Sequence, residues 1–87
     1  MPEPRAHTVK RLHMRSMRRG IKEMDLILSA YAAARLEGMD DATLARYDDL
    51  LNENDHDLYQ WVTGQVAAPE AFGTMIADIQ ALYSPQD

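Results

Sequence analysis

The chain has 87 residues, of which 46% are apolar and 26% charged, and it contains no cysteine. This length suffices for one domain and is too short for two separate cores, so we predict a single domain over residues 1–87. The apolar content is typical of globular proteins. The missing cysteine excludes disulfides and thiolate metal sites, and it fits a reducing compartment. No apolar run approaches the ~20 residues of a membrane-spanning helix, so we expect a soluble protein without direct membrane insertion.

Charge is distributed unevenly along the chain. The first 22 residues carry seven Lys or Arg and one Glu, whereas residues 23–87 carry two Arg and thirteen Asp or Glu, and the formal net charge is −5. Such asymmetry concerns partners and association rates rather than fold. We therefore examine the first 22 residues, called the basic segment below, as a candidate interaction surface.

Apolar periodicity indicates helices throughout, because no stretch alternates between apolar and polar residues. We predict an all-α fold, a compact bundle of about five short helices. Residues 1–7 are predicted to be a flexible tail, and Thr8 is predicted to cap a first helix that ends between Ser16 and Arg19. Gly20 is predicted to form the corner before the second helix.

The second helix is predicted from Ile21 to Glu37, with Gly38 as its left-handed C-terminal residue. Asp40 or Asp41 is predicted to cap a third helix that runs to about Leu51. The apolar positions expected to face the core are Met24, Ile27, Leu28, Tyr31, Ala34, Leu44, Tyr47, Leu50 and Leu51.

The fourth helix is predicted to begin at Asn54 or Asp55, and Gly64 closes it. The fifth is predicted to carry Pro69 in its first turn and to end at Pro85. Short connections favour antiparallel neighbours. The apolar positions of these two helices are Leu58, Trp61, Val62, Phe72, Met75, Ile76, Ile79, Leu82 and Tyr83.

Groups that would support catalysis are not apparent in the sequence. His7 and His13 stand six positions apart, which does not place two metal ligands on one helical face. The adjacent carboxylates at 40–41 and 48–49 point in different directions on a helix, so we interpret them as solvated acidic surface. The four glycines never cluster as in a phosphate loop. We expect no catalytic residue and no metal site.

The basic segment is open to two interpretations. Seven cations in 22 residues suit phosphates, but thirteen carboxylates on the same small body would repel a nucleic acid, so a protein partner is favoured. Arg19 and Glu23 stand at helical i, i+4 spacing, and one interpretation of the segment predicts only a surface ion pair between them. Between them, Gly20 offers bare backbone that another molecule could approach closely. Met14 and Met17 could line a partner groove.

The segment around the single tryptophan has a similar ambiguity. Leu58 and Trp61, three positions apart, are predicted to be core residues. Tyr59 points elsewhere on the same helix and is the better candidate for an exposed contact with a partner.

Three strings carry a family resemblance: Arg18-Arg19-Gly20-x-x-Glu23-x-Asp25-x-x-Leu28, then Tyr47-x-x-Leu50-Leu51, then Asp55-x-Asp57-Leu58-Tyr59-x-Trp61. Over residues 8–83 the chain resembles the succinate dehydrogenase flavinylation factors, also called FAD assembly factors. The resemblance implies a five-helix chaperone in respiratory complex assembly. Such a protein binds the flavoprotein subunit of succinate dehydrogenase, and in some bacteria that of fumarate reductase, and promotes covalent attachment of FAD.

The resemblance places the family's partner-binding signature on Arg19, Gly20 and Glu23, flanked by Arg18 and Asp25. It implies an assembly factor rather than an enzyme, with no stably bound cofactor, because FAD belongs to the client. We further expect a monomer that does not bind nucleic acid. The expected location is a bacterial cytoplasm, or the mitochondrial matrix if the source is eukaryotic.

Overall fold

A computed structural model describes residues 3–83 and contains five α-helices joined by short turns. The helices are α1 (Arg5–Arg15), α2 (Lys22–Arg35), α3 (Asp41–Leu50), α4 (Asp55–Val62) and α5 (Gly73–Tyr83), with 3₁₀ turns at Leu36–Gly38 and Glu70–Phe72. The prediction of an all-α bundle of about five short helices is confirmed. Within residues 3–83, no helix has the length and apolar character needed to cross a membrane.

Helix α1 begins earlier than predicted. Pro4 precedes it with φ −59° and ψ 144°, and the Pro4 carbonyl accepts hydrogen bonds from the backbone N–H groups of His7 and Thr8, both at 3.0 Å. Thr8 is therefore inside the helix rather than its cap, and its Oγ1 donates to Glu3 Oε1 at 3.0 Å. Residues 5–7, which were predicted to belong to a flexible tail, are helical. Met1 and Pro2 lie outside the described residues.

Two predictions at the end of α2 are also corrected. Gly38 closes a 3₁₀ turn and does not adopt a left-handed conformation, which among the described glycines occurs only at Gly64, with φ 82°. The buried stripe of α2 continues through Ala32 and Leu36, so that Ala34 is exposed. The stripe drifts in this way because 3.6 residues per turn do not repeat evenly over several turns.

Side-chain caps define the starts of α3 and α4 as predicted. Asp40 Oδ1 accepts from the Thr43 N–H at 2.8 Å, and Asn54 Oδ1 accepts from the His56 N–H at 2.7 Å. Pro69 differs from the prediction, because it precedes the 3₁₀ turn and α5 itself begins at Gly73. The predicted end at Pro85 lies outside the described residues.

The core contains nearly all the positions that periodicity selected. Trp61 is 8% exposed and stacks on Phe72 with ring centroids 6.3 Å apart. Of the predicted core residues in α5 and the turn before it, Phe72 and Leu82 are half-buried and Tyr83 is 41% exposed. The buried apolar residues are Val9, Leu12, Met24, Ile27, Leu28, Tyr31, Ala32, Leu36, Met39, Leu44, Tyr47, Leu50, Leu51, Leu58, Trp61, Val62, Met75, Ile76 and Ile79.

A buried polar contact joins the end of α1 to the centre of α3. The Ser16 and Tyr47 hydroxyl oxygens lie 2.6 Å apart, and Ser16 Oγ also donates to the Leu12 carbonyl at 2.7 Å. Burial raises the pKa of Tyr47 to about 12 from its ordinary value of 10.0. The folded protein therefore keeps the Tyr47 phenol neutral. The contact between this phenol and Ser16 fixes the chain directly after α1.

This pKa predicts a loss of stability at alkaline pH. The contribution of Tyr47 is fully present below pH ~10, where the unfolded chain keeps its proton, and it is lost as pH rises toward the folded-state pKa of about 12. Each such group lowers the free energy of unfolding by about 1.4 kcal/mol per pH unit in that window. Urea titrations at pH 8 to 12 should therefore show a shallower decline for Tyr47→Phe than for the parent. Parallel curves would contradict this assignment.

Candidate functional site

The signature residues lie in and after the loop of residues 16–21, called the α1–α2 loop below. Arg19 fixes this loop to three helix ends. Its Nε donates to Asp55 Oδ1 at 2.8 Å, its Nη1 to the Arg15 carbonyl at 2.8 Å and its Nη2 to the Leu51 carbonyl at 3.1 Å. The Arg19 and Asp55 side chains are only 12% and 16% exposed. Because it is charge-assisted and mostly removed from water, this contact holds the loop against the start of α4.

Gly20 contacts the same carboxylate. Its N–H donates to Asp55 Oδ2 at 2.5 Å, so the two oxygens of Asp55 bind two consecutive loop residues. A Cβ atom added to Gly20 would lie 3.1 Å from Asp55 Oδ2. The close contact at Gly20 is therefore one within the molecule, whereas the sequence indicated close approach by another molecule, and Gly20 itself is exposed.

The predicted pairing of Arg19 with Glu23 is wrong. Arg19 precedes α2 and lies in the loop, so the i, i+4 spacing of a helix does not apply to it, and it pairs with Asp55 instead. Glu23 is exposed in the first turn of α2, where a carboxylate favours the positive end of the helix dipole.

Arg18 and Asp25 shape the loop through the backbone. Arg18 is the only described residue other than glycine with a positive φ, 57°, and its N–H donates to Asp25 Oδ2 at 2.9 Å. A left-handed residue other than glycine costs roughly 1 kcal/mol or more, which such a bond helps to offset. The Arg18 side chain is exposed. Asp25 also accepts from Ser29 Oγ at 3.3 Å, so its role in the structure is to hold the turn.

Most of the basic segment is neutralised within the molecule. Arg5 pairs with Asp41, and Arg11 and Arg15 both pair with Asp48. Arg11 binds Asp48 with two bonds of 3.0 Å, and these bonds hold the pKa of Asp48 below its ordinary value of 3.8. The interpretation of Asp48 as solvated surface is therefore wrong. Among the described residues, the cations of the segment without an ion pair are Lys10, Arg18 and Lys22.

This neutralisation bears on the nucleic-acid interpretation, which relied on all seven cations. Three exposed cations, on a small molecule whose helices α3 and α4 carry carboxylates in their first turns, make a weak phosphate-binding surface. The structure therefore favours the protein-facing interpretation of the segment.

Two further features lie near the loop. Tyr59 stands one helical turn after Asp55 on α4, and it is half-buried against the core rather than fully exposed. Glu23 borders a groove of about 250 Å³ between α2 and α5. The groove has apolar walls that include Leu26, which is 60% exposed, and Tyr83. A charged residue beside exposed apolar groups is a common arrangement at protein interfaces.

Sequence reasoning missed the role of Asp55, which it treated only as a possible cap. One signal was present, because the strings Arg19-Gly20 and Asp55-x-Asp57 occur together in the resemblance. Arg19 and Asp55 are 36 residues apart, and helical spacing carries no information about such a pair.

The fold and loop define a class of protein: a small five-helix bundle whose signature residues lie in the anchored loop between its first two helices and in the helical turn that follows. Residues 10–83 match the family model described as flavinator of succinate dehydrogenase. This match covers most of the chain, and the chain belongs to this family. The resemblance drawn from the sequence is thus confirmed.

Curated relatives agree with the family match. Succinate dehydrogenase assembly factor 2-B, mitochondrial, from Drosophila mojavensis is 37% identical over 83 residues, covering 93% of this chain and 53% of the relative. Succinate dehydrogenase assembly factor 2, mitochondrial, from Saccharomyces cerevisiae strain YJM789 is 48% identical over 61 residues, covering 70% and 38%. The Candida glabrata protein of the same name is 53% identical over 53 residues, covering 61% and 35%. The chain thus spans about a third to a half of the length of these relatives.

Proposed function

We propose that this protein is an assembly factor that binds the flavoprotein subunit of succinate dehydrogenase and promotes the covalent attachment of FAD to that subunit. Family membership supports the assembly role. The observation that carries the proposal is the anchored α1–α2 loop, in which Arg18 and Gly20 are exposed, with Glu23 exposed in the helical turn that follows. The flavoprotein subunit of fumarate reductase is a second client of the same kind.

The proposed mechanism is preorganisation of the client. Covalent flavinylation requires the flavin and the client's histidine to be held in one reactive geometry, which is a problem of orientation. A factor that binds this conformation more tightly than the others raises its population. The histidine, the flavin and the chemistry all belong to the client. We therefore expect no enzymatic activity of the isolated protein and no stably bound FAD.

Each exposed signature residue has a distinct part in the proposed docking. Gly20 leaves room for the partner's backbone on its exposed side, and the Arg18 guanidinium is available for a partner carboxylate or carbonyl. Glu23 supplies an acceptor at the edge of the groove between α2 and α5, whose apolar walls would be covered by the partner. Tyr59 is half-buried against the core on α4 and contributes its exposed edge to the proposed docking.

The remaining expectations concern the free protein. A monomer is expected, since the proposed interface is reserved for the client. We expect the protein to be located in a bacterial cytoplasm or, if the source is eukaryotic, in the mitochondrial matrix. The relatives described above are mitochondrial proteins by name.

Reversing the charge of Glu23 tests the proposal. Purified protein, flavoprotein subunit and FAD are mixed, association is measured, and flavin fluorescence of the denatured subunit is read in a gel. We expect Glu23→Arg to reduce covalent flavin at least tenfold, because charge mismatches at an interface cost several kcal/mol. The matched control is Glu70→Arg, an exposed glutamate in the 3₁₀ turn before α5, which should leave flavinylation unchanged.

Melting curves complete this test. The stability of Glu70→Arg should stay within ~0.5 kcal/mol of the parent, whereas Glu23→Arg also places a cation at the positive end of the α2 dipole and should cost about 1 kcal/mol. A parent protein that neither binds the subunit nor raises its covalent flavin would refute the proposed function. Full activity of a folded Glu23→Arg variant would remove Glu23 from the interface.

A further inference from the structure

We infer that Asp55 is the positioning residue of the α1–α2 loop, and that its carboxylate by itself makes glycine necessary at position 20, before any contact with the partner. The expected effect on client binding rests on the proposed function, because the loop is the proposed docking surface. It concerns a residue on α4 whose carboxylate binds two residues of the loop from within the molecule.

The carboxylate of Asp55 is fully engaged with the loop. Oδ1 accepts from Arg19 Nε at 2.8 Å, and Oδ2 accepts from the Gly20 N–H at 2.5 Å. Since Asp55 is the first residue of α4, its backbone is fixed by that helix and its charge lies at the positive end of the dipole. The carboxylate therefore cannot move without breaking bonds to both loop residues.

Three reasons can make a glycine necessary: a left-handed backbone, a close contact within the chain, or a close contact with a partner. The first is excluded for Gly20, because Gly64 is the glycine with positive φ among the described residues. The second is present, since an added Cβ would meet Asp55 Oδ2 at 3.1 Å. That distance is tighter than most Cβ contacts, and the neighbour that would have to yield is held by Arg19.

A side chain at position 20 therefore acts first on the loop. It displaces Asp55, weakens the bond to Arg19 and frees the segment between α1 and α2. A loop that populates the docking conformation only part of the time binds with an affinity reduced by that fraction. Loss of binding in a Gly20 variant then originates inside this protein, without any clash against the client.

A double-mutant cycle distinguishes the two origins. Gly20→Ala, Asp55→Ala and the double variant are compared with the parent for affinity toward the flavoprotein subunit, with folding checked by circular dichroism. We expect each single variant to bind about tenfold more weakly, since residues in contact couple by energies of this order. The double variant should bind no more weakly than Asp55→Ala, because the methyl group then has no carboxylate to displace. Losses that multiply in the double variant would overturn the inference.

Asp57 provides the matched control. It is an exposed carboxylate in the same first turn of α4, so Asp57→Ala removes a similar dipole interaction without touching the loop. The cycle of Gly20→Ala with Asp57→Ala should be additive. Coupling of equal size in this control cycle would overturn the specific role of Asp55.

The inference remains testable if the proposed function fails. Should the parent not bind the flavoprotein subunit, the same two cycles are measured as changes in the urea midpoint and in amide exchange at residues 18–20. Coupling between positions 20 and 55 with additivity at 57 supports the inference. Additivity in both cycles overturns it.

Discussion

Gly20→Arg should abolish flavinylation of the client while the helical core stays folded. The added side chain starts 3.1 Å from Asp55 Oδ2 and adds a second guanidinium beside Arg19, so it disrupts the loop and blocks the exposed backbone at once. We expect covalent flavin to fall to background in the gel assay, a loss of at least a hundredfold. Helical circular dichroism should persist, because Gly20 lies outside every helix and is not a core residue.

Gly38→Arg is the matched control for this variant. Gly38 is exposed, does not have a positive φ, and has no atom within 4 Å of an added Cβ, so the same residue enters without a clash. It should flavinylate the client like the parent. A folded Gly20→Arg protein with full activity would remove the loop from the mechanism. Equal losses in both variants would point to added charge rather than position.

Trp61→Ala should cost about 3 to 5 kcal/mol of stability. Trp61 is 8% exposed and its ring stacks on Phe72 in the 3₁₀ turn before α5, so the substitution removes buried contacts between α4 and that turn. Since small domains are stable by roughly 5 to 15 kcal/mol, much of the variant should unfold at 37 °C. Urea denaturation followed by circular dichroism measures the effect.

Tyr59→Ala is the comparison for the tryptophan variant. Tyr59 lies two positions earlier on α4 and is only half-buried, so less apolar area is lost and the midpoint should fall much less. An unchanged midpoint for Trp61→Ala would contradict the core assignment. Reduced client binding by a folded Tyr59→Ala protein would support the proposed contact of its exposed edge.

Local sequence patterns predicted most of the fold. Apolar spacing located the five helices and predicted the burial of Trp61. The caps at Asp40 and Asn54 were predictable because such side chains accept hydrogen bonds from the unpaired backbone N–H groups in the first turn of a helix. These features depend on residues within about one helical turn of each other, which is the range that periodicity and capping rules describe. The errors at Thr8 and Pro69 shifted a helix start by a few residues, where such rules are weakest.

The candidate site was predicted only in part, for a physical reason. The sequence indicated Arg19, Gly20 and Glu23 but assigned the wrong partner to Arg19, because i, i+4 spacing applies only inside a helix. The actual partner depends on the loop crossing the start of α4, which only the packed structure specifies. Asp48 was misjudged similarly, since its arginines come from α1 across the bundle.

Internal ion pairing changes the electrostatic potential that the protein produces at long range. The paired residues are Arg5, Arg11, Arg15 and Arg19. Beyond roughly 8 to 10 Å in physiological salt, a cation and its adjacent carboxylate largely cancel. What remains at long range is the field of a molecule with net charge −5, despite its seven cations near one end. If the client is anionic, diffusional encounter with it therefore gains no electrostatic acceleration. Selectivity must come from the few contacts made after the surfaces meet, where Arg18, Gly20 and Glu23 lie within one loop and the following turn.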